Sequence, residues 1–187
     1  MELNPIGLAL PVFTGLMMVE FVAARIQGRR VYRLNDAVGD LTCGMGDQVL
    51  NLVTSIGAVA AYQWVHTHVG VFTFSLSDPW VWVVGLVAVD ALYYVFHRFS
   101  HRVNLGWMSH VVHHQSEEYN LAVALRQPWF AQFISWAVYL PLAVLGLPAE
   151  VWLLSYAANL MYQFWIHTQL ISTLGPLEWV MNTPSHH

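Results

Sequence analysis

The scarcity of charged side chains is the feature that most limits what this chain can fold into. Only 10% of its 187 residues are Asp, Glu, Lys or Arg, and the mean hydropathy is +0.48. A soluble domain usually carries about 25% charged residues, so these are too few to cover a globular surface. The high hydrophobicity also excludes a disordered chain. A net charge of −4 gives no basic surface for nucleic acid, and we expect no such partner.

Apolar stretches indicate how the chain is organised. A helix needs about 20 apolar residues to cross a bilayer. Five stretches approach or reach this length, at residues 5–24, 45–65, 79–96, 129–147 and 148–166. They show no two-residue alternation, which favours helices over the strands of a barrel. We therefore predict an all-α, integral-membrane helical bundle of about five spans that forms a single domain over residues 1–187.

The basic residues indicate the orientation of this bundle. If the chain crosses five times, all of its basic residues lie on one side, and all are arginines: Arg25, Arg29, Arg30, Arg33, Arg98, Arg102 and Arg126. Basic loops are retained in the cytoplasm. We expect a multi-pass protein of a bacterial inner membrane or the endoplasmic reticulum, with this face cytoplasmic.

Histidines gather on the same face. Eight of the ten lie on the arginine side, in groups far apart in the sequence. His97 and His101 are spaced i, i+4, and His110, His113 and His114 are spaced i, i+3, i+4. Side chains at these spacings are neighbours on a helix, so each group could contribute to a metal site.

A break between these two groups is needed for them to converge. The nine residues from His101 to His110 would rotate an unbroken helix by about 180°, which would turn the groups apart. Asn104 and Gly106 lie between them and favour a turn. We predict a helical hairpin or kink at this point.

Further histidines follow near the end of the chain. His167 continues a polar stripe with Asn159 and Gln163 at i, i+4, i+8, and His186 and His187 close the sequence. Eight histidines exceed the ligand number of one metal ion but suit two. Imidazole binds iron, zinc, copper and nickel, so the residue type alone leaves the metal open.

Other polar residues are candidates for supporting roles. Asp90 and Tyr94 share a helical face with His97, so Asp90 could orient a histidine or tie to another helix. Glu117 could support a ligand, although such acidic residues also occur at helix starts. Arg126 could be structural or could contact an anionic headgroup or cofactor.

The histidine groups and the sequences around them resemble the fatty acid hydroxylase/sterol desaturase superfamily. The resemblance covers about residues 80–187. Within the superfamily it is closest to alkylglycerol monooxygenase-like proteins. It rests on HRFSH, HVVHH and three longer segments, HHQSEEYNLAVALRQ (113–127), YQFWIHT (162–168) and LGPLEWVMNTPSHH (174–187).

The resemblance implies a function and a set of site residues. It implies a non-haem di-iron, O2-dependent lipid hydroxylase that oxidises the carbon next to an ether oxygen, with tetrahydrobiopterin or another electron donor. The implied metal ligands are His97, His101, His110, His113, His114, His167, His186 and His187. The expected catalytic residues are Asp90, Tyr94 and Glu117, and the expected cofactor-binding residues are Arg126, Asn159 and Gln163.

The superfamily's last histidine motif reads His-His-x-x-His-His, whereas this chain ends at His187. We therefore expect the sequence to be a C-terminally truncated fragment that could be inactive on its own.

Other functions remain open. A hydroxylase or desaturase acting on sterols, fatty acids or carotenoids would carry the same histidine pattern. A zinc hydrolase would need HExxH, but Arg98 and Phe99 follow His97. A non-enzymatic membrane protein that binds a metal or haem is the other alternative. The oligomeric state is not indicated.

Overall fold

The computed structural model describes residues 5–187, with side chains from residue 11 onward. The first four residues of the predicted domain lie outside this range. The described chain has α-helices and short 3-10 turns but no strand, which confirms the all-α prediction. The α-helices are α1 (Pro5–Ile26), α2 (Leu34–Val69), α3 (Pro79–Arg102), α4 (Asn104–His110), α5 (Gln132–Ser135), α6 (Leu140–Val144) and α7 (Ala149–Trp165).

Four of the five apolar stretches lie within long helices, namely α1, α2, α3 and α7. Helix α2 begins well before its apolar stretch and reaches 36 residues. Within the part of the chain that the structure describes, one helix, α3, is both long and apolar enough to cross a membrane. The structure therefore supports one clear span candidate rather than the five that we predicted.

The fourth stretch differs from the prediction because it is not one continuous α-helix. It consists of α5, a 3-10 turn at Trp136–Tyr139 and α6. Pro141 lies in the first turn of α6 and has no backbone N–H to continue a helical ladder. The 13 helical residues of Gln132–Val144 would reach only about 20 Å at 1.5 Å each, short of a bilayer core of about 30 Å.

Helices α3 and α7 form the closest helix pair. Val81, Gly85 and Val89 on α3 are buried, as are Val151 and Ser155 on α7. A Cβ atom added to Gly85 would lie 2.4 Å from Val151 Cγ1. Small residues allow helices to approach in this way. This contact fixes how the histidine-bearing end of α3 lies beside the end of α7.

The main core lies at the end of the fold away from the histidines. Tyr62 of α2 stacks on Trp152 of α7 with ring centroids 4.3 Å apart. Its hydroxyl donates a 3.0 Å hydrogen bond to the Leu147 carbonyl. A second, smaller cluster joins α1 to α7, where Phe13 stacks on Phe164 at 4.3 Å. Helix α7 is thus packed at both of its ends.

We predict that Gly85→Ala destabilises the fold, because Val151 is β-branched and cannot easily move away. Overpacking of this kind costs about 1–3 kcal/mol. Gly57→Ala is the matched control, since an added Cβ there meets no atom within 4 Å. Thermal unfolding in detergent should show a lower Tm for Gly85→Ala than for Gly57→Ala. Equal Tm values would contradict the close α3–α7 contact.

Candidate metal centre

The chain reverses between the first two histidine groups. Val103 has an extended backbone, with φ −115° and ψ 128°, and separates α3 from α4. Helix α4 then packs against the end of α3 so closely that a Cβ on Gly106 would lie 2.7 Å from Ser100 Cα. The predicted break is confirmed, and it brings His110 against His97 and His101.

These three histidines form the first trio. One ligand atom from each of His97, His101 and His110 lies within 4.8 Å of the others. The Nε2 atoms of His97 and His101 are 3.1 Å apart. His110 Nε2 is buried and has no hydrogen-bond partner within the described residues. The His114 ring packs beside this trio, with its centroid 4.8 Å from His101 and 4.9 Å from His110.

A second trio combines three segments that are distant in sequence. It consists of His113 after α4, His167 after α7 and His187, with ligand atoms again within 4.8 Å. The Nε2 atoms of His113 and His167 are 3.1 Å apart. His187 Nε2 is buried and has no hydrogen-bond partner in the part of the chain that the structure describes. Each trio therefore contains a buried imidazole nitrogen to which no described protein group is hydrogen-bonded.

The two trios are adjacent. The ring centroids of His110 and His113 are 5.2 Å apart, and those of His97 and His187 are 5.5 Å apart. Two ions bound in the trios would therefore be neighbours, an arrangement suited to a dinuclear centre.

Hydrogen bonds fix the tautomers of the second trio. His113 Nδ1 lies 3.0 Å from the Arg126 carbonyl oxygen, and His167 Nδ1 lies 2.7 Å from the Gln163 carbonyl oxygen. A carbonyl oxygen only accepts, so both Nδ1 atoms must carry the proton. In a neutral ring Nε2 then bears a lone pair. This is how metal-binding histidines are commonly oriented.

Burial keeps these rings neutral. Burial and the neighbouring imidazoles lower the pKa of His110 and His167 to about 2. The same two causes lower the pKa of His187 to about 4. Burial lowers the pKa of His113 to about 4 against the opposing effect of its hydrogen bond to the Arg126 carbonyl. Neutral imidazole is the metal-binding form.

The donor atoms fit a transition-metal ion. In the second trio two bare nitrogen lone pairs face each other at 3.1 Å, which is repulsive unless a cation lies between them. A single ion with nitrogen bonds of about 2.1 Å accommodates both. Iron, zinc, copper and nickel all accept imidazole, so the trios are a candidate metal site whose donor atoms do not select among these metals.

Arg126 connects this trio to α2. Its guanidinium donates a 3.0 Å hydrogen bond to Asp40 Oδ1, and Asp40 is fully buried. It also donates to the Val112 carbonyl at 2.8 Å. Asp36 lies 3.7 Å away. These contacts hold the Arg126 backbone, whose carbonyl orients His113, so Arg126 braces the second trio. Its expected contact with a cofactor stays a prediction.

Asp90 and Asn159 meet at the helix interface. Asn159 Nδ2 donates a 2.7 Å hydrogen bond to Asp90 Oδ1. Asp90 thus ties α3 to α7, which is the structural alternative raised from the sequence. Asn159 contributes its Nδ2 to this contact, while its Oδ1 is buried and has no hydrogen-bond partner among the described residues. Its expected role at a cofactor stays a prediction.

Tyr94 is not brought to the histidines. Its side chain is exposed, and its hydroxyl accepts a 2.8 Å hydrogen bond from Arg98. Tyr93 stacks on His97 instead, with centroids 5.8 Å apart. The reason is the rotation of the helix. Tyr93 lies four positions before His97 and is offset from it by about 40° around the helix axis. Tyr94 lies three positions before His97 and is offset by about 60° in the opposite direction.

Glu117 and His186 also lie outside the trios. Glu117 is exposed and accepts a hydrogen bond from Arg33. His186 is exposed, and its backbone N–H donates to the Thr183 carbonyl at 2.9 Å. Gln163 contributes through its backbone, as described above, and its side chain lines the adjoining cavity.

Two carboxylates that organise the site are not among the residues predicted from the sequence. Glu20 is buried, accepts a 2.8 Å hydrogen bond from Leu121 N, and accepts another from Thr168 beside His167. Glu178 accepts hydrogen bonds from Thr183 and Ser185 in the turn before His187. A carboxylate inside an apolar stretch is expensive, and that signal could have identified Glu20.

A cavity of about 410 Å³ adjoins the trios. Histidines of both trios form part of its wall, and its other residues come from α1, α2, α3, α7 and the segments around Leu125 and α5. The wall includes the aromatic side chains of Tyr93, Trp152 and Tyr156. The volume of the cavity falls within the range of small-molecule sites. Because trio histidines form part of its wall, a ligand in this cavity would contact them directly.

Comparison with known proteins identifies the family. The fatty acid hydroxylase family model matches residues 82–187, which hold every residue of the two trios. The chain belongs to the fatty acid hydroxylase family. No solved structure matches it.

The chain is also similar to named members of known function. It is 41% identical to alkylglycerol monooxygenase of Homo sapiens over 96% of this chain, and equally similar to that of Danio rerio. It is 33% identical to alkylglycerol monooxygenase of Caenorhabditis elegans over 91% of this chain. The chain spans about 40% of the length of the human and zebrafish relatives.

We predict that His97→Ala and His113→Ala each remove the metal ion bound at their own trio, because each removes one of three ligands. His68→Ala is the matched control, since His68 stacks on Trp64 far from the trios. Metal analysis after loading and desalting should show a loss in both trio variants and none in the control. Unchanged metal content in both would exclude the trios as the binding site.

We predict that Asp40→Ala strongly destabilises this fatty acid hydroxylase family member, because it leaves the Arg126 guanidinium buried without its closest charged partner. Breaking a buried pair costs about 3–5 kcal/mol. Glu117→Ala is the control, as an exposed pair contributes at most about 1 kcal/mol. Denaturant unfolding in detergent should separate the two, and equal losses would contradict the bracing role of Asp40.

Proposed function

We propose that this chain carries the metal centre of a membrane lipid monooxygenase that holds two iron ions in its histidine trios. The observation that carries the proposal is the pairing of two adjacent trios with one cavity. Each trio presents bare imidazole nitrogens, and the cavity beside them is lined in part by aromatic side chains. Membership of the fatty acid hydroxylase family supports iron over the other metals that imidazole accepts.

Different groups of the chain would have different roles in the site. The trios would hold the ions, while the backbone carbonyls of Arg126 and Gln163 keep two of the ligands in the correct tautomer. The cavity would exclude water, which limits side reactions of a strong oxidant. Two bound iron ions would supply the reduction of O2 and the oxidation of an unactivated C–H bond.

We propose an ether lipid as the substrate, because the human and zebrafish relatives described above are named alkylglycerol monooxygenases. Hydroxylation of the carbon next to the ether oxygen consumes O2, two electrons and two protons, and releases one water. The resulting hemiacetal breaks its C–O bond to give an aldehyde and a free hydroxyl on the glycerol. The electrons require an external donor, for which a reduced pterin is our first candidate.

A membrane location follows from the same proposal. Helix α3 supplies one apolar span, and exposed apolar side chains are abundant along α1 and α2. We propose that these helices also contact lipid and that the arginine- and histidine-bearing face is cytoplasmic. A lipid could then reach the cavity from within the bilayer.

We predict that the iron-loaded chain, given a reduced pterin, consumes O2 and forms a fatty aldehyde from 1-O-hexadecylglycerol. The His110→Ala variant should form none, because it removes a trio ligand. Mass spectrometry of the aldehyde together with an oxygen electrode would measure this. Turnover of a sterol or a free fatty acid in place of the ether lipid would support a different hydroxylase of the same superfamily.

Tightly retained zinc or haem without O2 consumption would contradict the monooxygenase proposal. The same assay with zinc-loaded protein is the matched control, because zinc fills imidazole sites but has no redox chemistry.

A further inference from the structure

The cavity beside the histidines has one polar wall that metal binding does not use. Asp47, Asn51, Thr54 and Ser55 on α2 line it. Their spacing of four, three and one residues puts them on one face of the helix. Gln132 of α5 lies opposite and also lines the cavity. An apolar lipid tail alone would not need such a wall.

Asp47 has unused capacity to accept hydrogen bonds. Its two oxygens receive only 3.4 Å contacts, from Gln132 Nε2 and Gln48 Nε2. Hydrogen bonds at this distance are near the outer limit. Asp36 and Asp40 pair with Arg126, whereas Asp47 has no ion pair within the described residues.

The polar side chains near Asp47 are of two kinds: some are hydrogen-bonded to other protein groups, and the others can bind a ligand. Thr54 donates a 2.6 Å hydrogen bond to Gln132 Oε1, and Gln132 Nε2 donates to the Trp129 carbonyl at 3.0 Å. The Gln132 side chain therefore has little hydrogen-bonding capacity left for a ligand. Asn51 and Ser55 line the cavity and make no side-chain hydrogen bond within the described part of the chain. The available groups are thus one carboxylate, one amide and one hydroxyl.

This set matches a neutral ligand with hydroxyl groups. A hydroxyl donates to a carboxylate and also exchanges hydrogen bonds with an amide or another hydroxyl. A ligand with two adjacent hydroxyls could use Asp47 and Asn51 together. An ammonium group has donors only and would use Asp47 but not the donor capacity of Asn51 and Ser55.

The position of the polar wall along α2 determines how a bound ligand is oriented in the cavity. Gly44 packs against the Leu125 carbonyl, beside the segment that orients His113. Asp47 follows by three residues, about 4.5 Å along the helix axis. Further along the same face, Ala58 and Tyr62 join the apolar core with Trp152. The polar wall therefore begins at the histidine end, and the apolar part of the cavity lies beyond it.

We propose that Asp47, with Asn51, binds the hydroxyl groups of a lipid's polar head and so determines specificity for hydroxyl-bearing lipids. The lipid chain extends toward Tyr139 and Trp152. Its C–H bonds nearest the head then lie nearest the trios. This proposal deepens the proposed function and rests on it for the identity of the reaction, while the binding itself can be measured without turnover.

The test compares two lipids that differ in their hydroxyl groups. Binding of radiolabelled 1-O-hexadecylglycerol and of hexadecyl methyl ether is measured on the purified chain in nanodiscs. Asp47→Asn should weaken binding of the glycerol lipid about tenfold, the size expected for lost hydrogen bonds to a charged group. Binding of the methyl ether should be unchanged.

Two further variants keep the test decisive. Asn51→Ala removes an exposed side chain, so the protein should fold normally, and it should weaken only the glycerol lipid by about threefold. Asp78→Asn, at the start of α3 away from the cavity, is the matched control and should change neither lipid. Equal binding of the glycerol lipid to Asp47→Asn and to the unmodified chain would overturn the proposal. An equal loss for both lipids would also overturn it.

Iron binding by the same unmodified preparation separates the two proposals. Selective lipid binding without iron bound at the trios would refute the proposed iron centre and leave the hydroxyl site standing. Iron binding with unselective lipid binding would refute the hydroxyl site alone.

Discussion

The site depends on the repulsion between imidazole lone pairs that the fold forces together. Carbonyl oxygens hold the Nδ1 protons of His113 and His167, and burial keeps both rings neutral. Their bare Nε2 atoms then face each other at 3.1 Å. Such an arrangement is costly in an apolar interior and becomes favourable once a metal ion lies between the two atoms. The rest of the structure serves to keep these rings in place.

Three separate features provide that support. Close packing at Gly85 sets the ends of α3 and α7 side by side. The buried pair of Asp40 and Arg126 fixes the segment whose carbonyl holds His113. Buried Glu20 joins α1 to the segments around Leu121 and Thr168. Each uses a polar or small residue inside an apolar bundle, where it is tolerated because its partners are also fixed.

The sequence predicted the helices and the gathering of histidines, because hydrophobic length and i, i+4 spacing are local properties. It could not separate the eight histidines into trios, since His113, His167 and His187 meet only through tertiary packing. The same limit explains Tyr94, because Tyr93 and Tyr94 lie on opposite sides of His97 around the helix axis, and only packing decides which of them contacts its ring. Pro141 indicates a break in the fourth stretch, but the apolar residues on both sides of it favour one continuous span when hydrophobic length alone is considered. The number of spans and the role of His186 stay predictions.

X-ray absorption spectroscopy of the iron-loaded chain tests the central claim most directly, because it reports the atoms around the metal without relying on activity. Two adjacent histidine trios predict a first shell dominated by imidazole nitrogen at about 2.1 Å, with the outer scattering typical of imidazole rings and a contribution from a neighbouring iron. A shell of oxygen atoms without imidazole scattering would contradict the account.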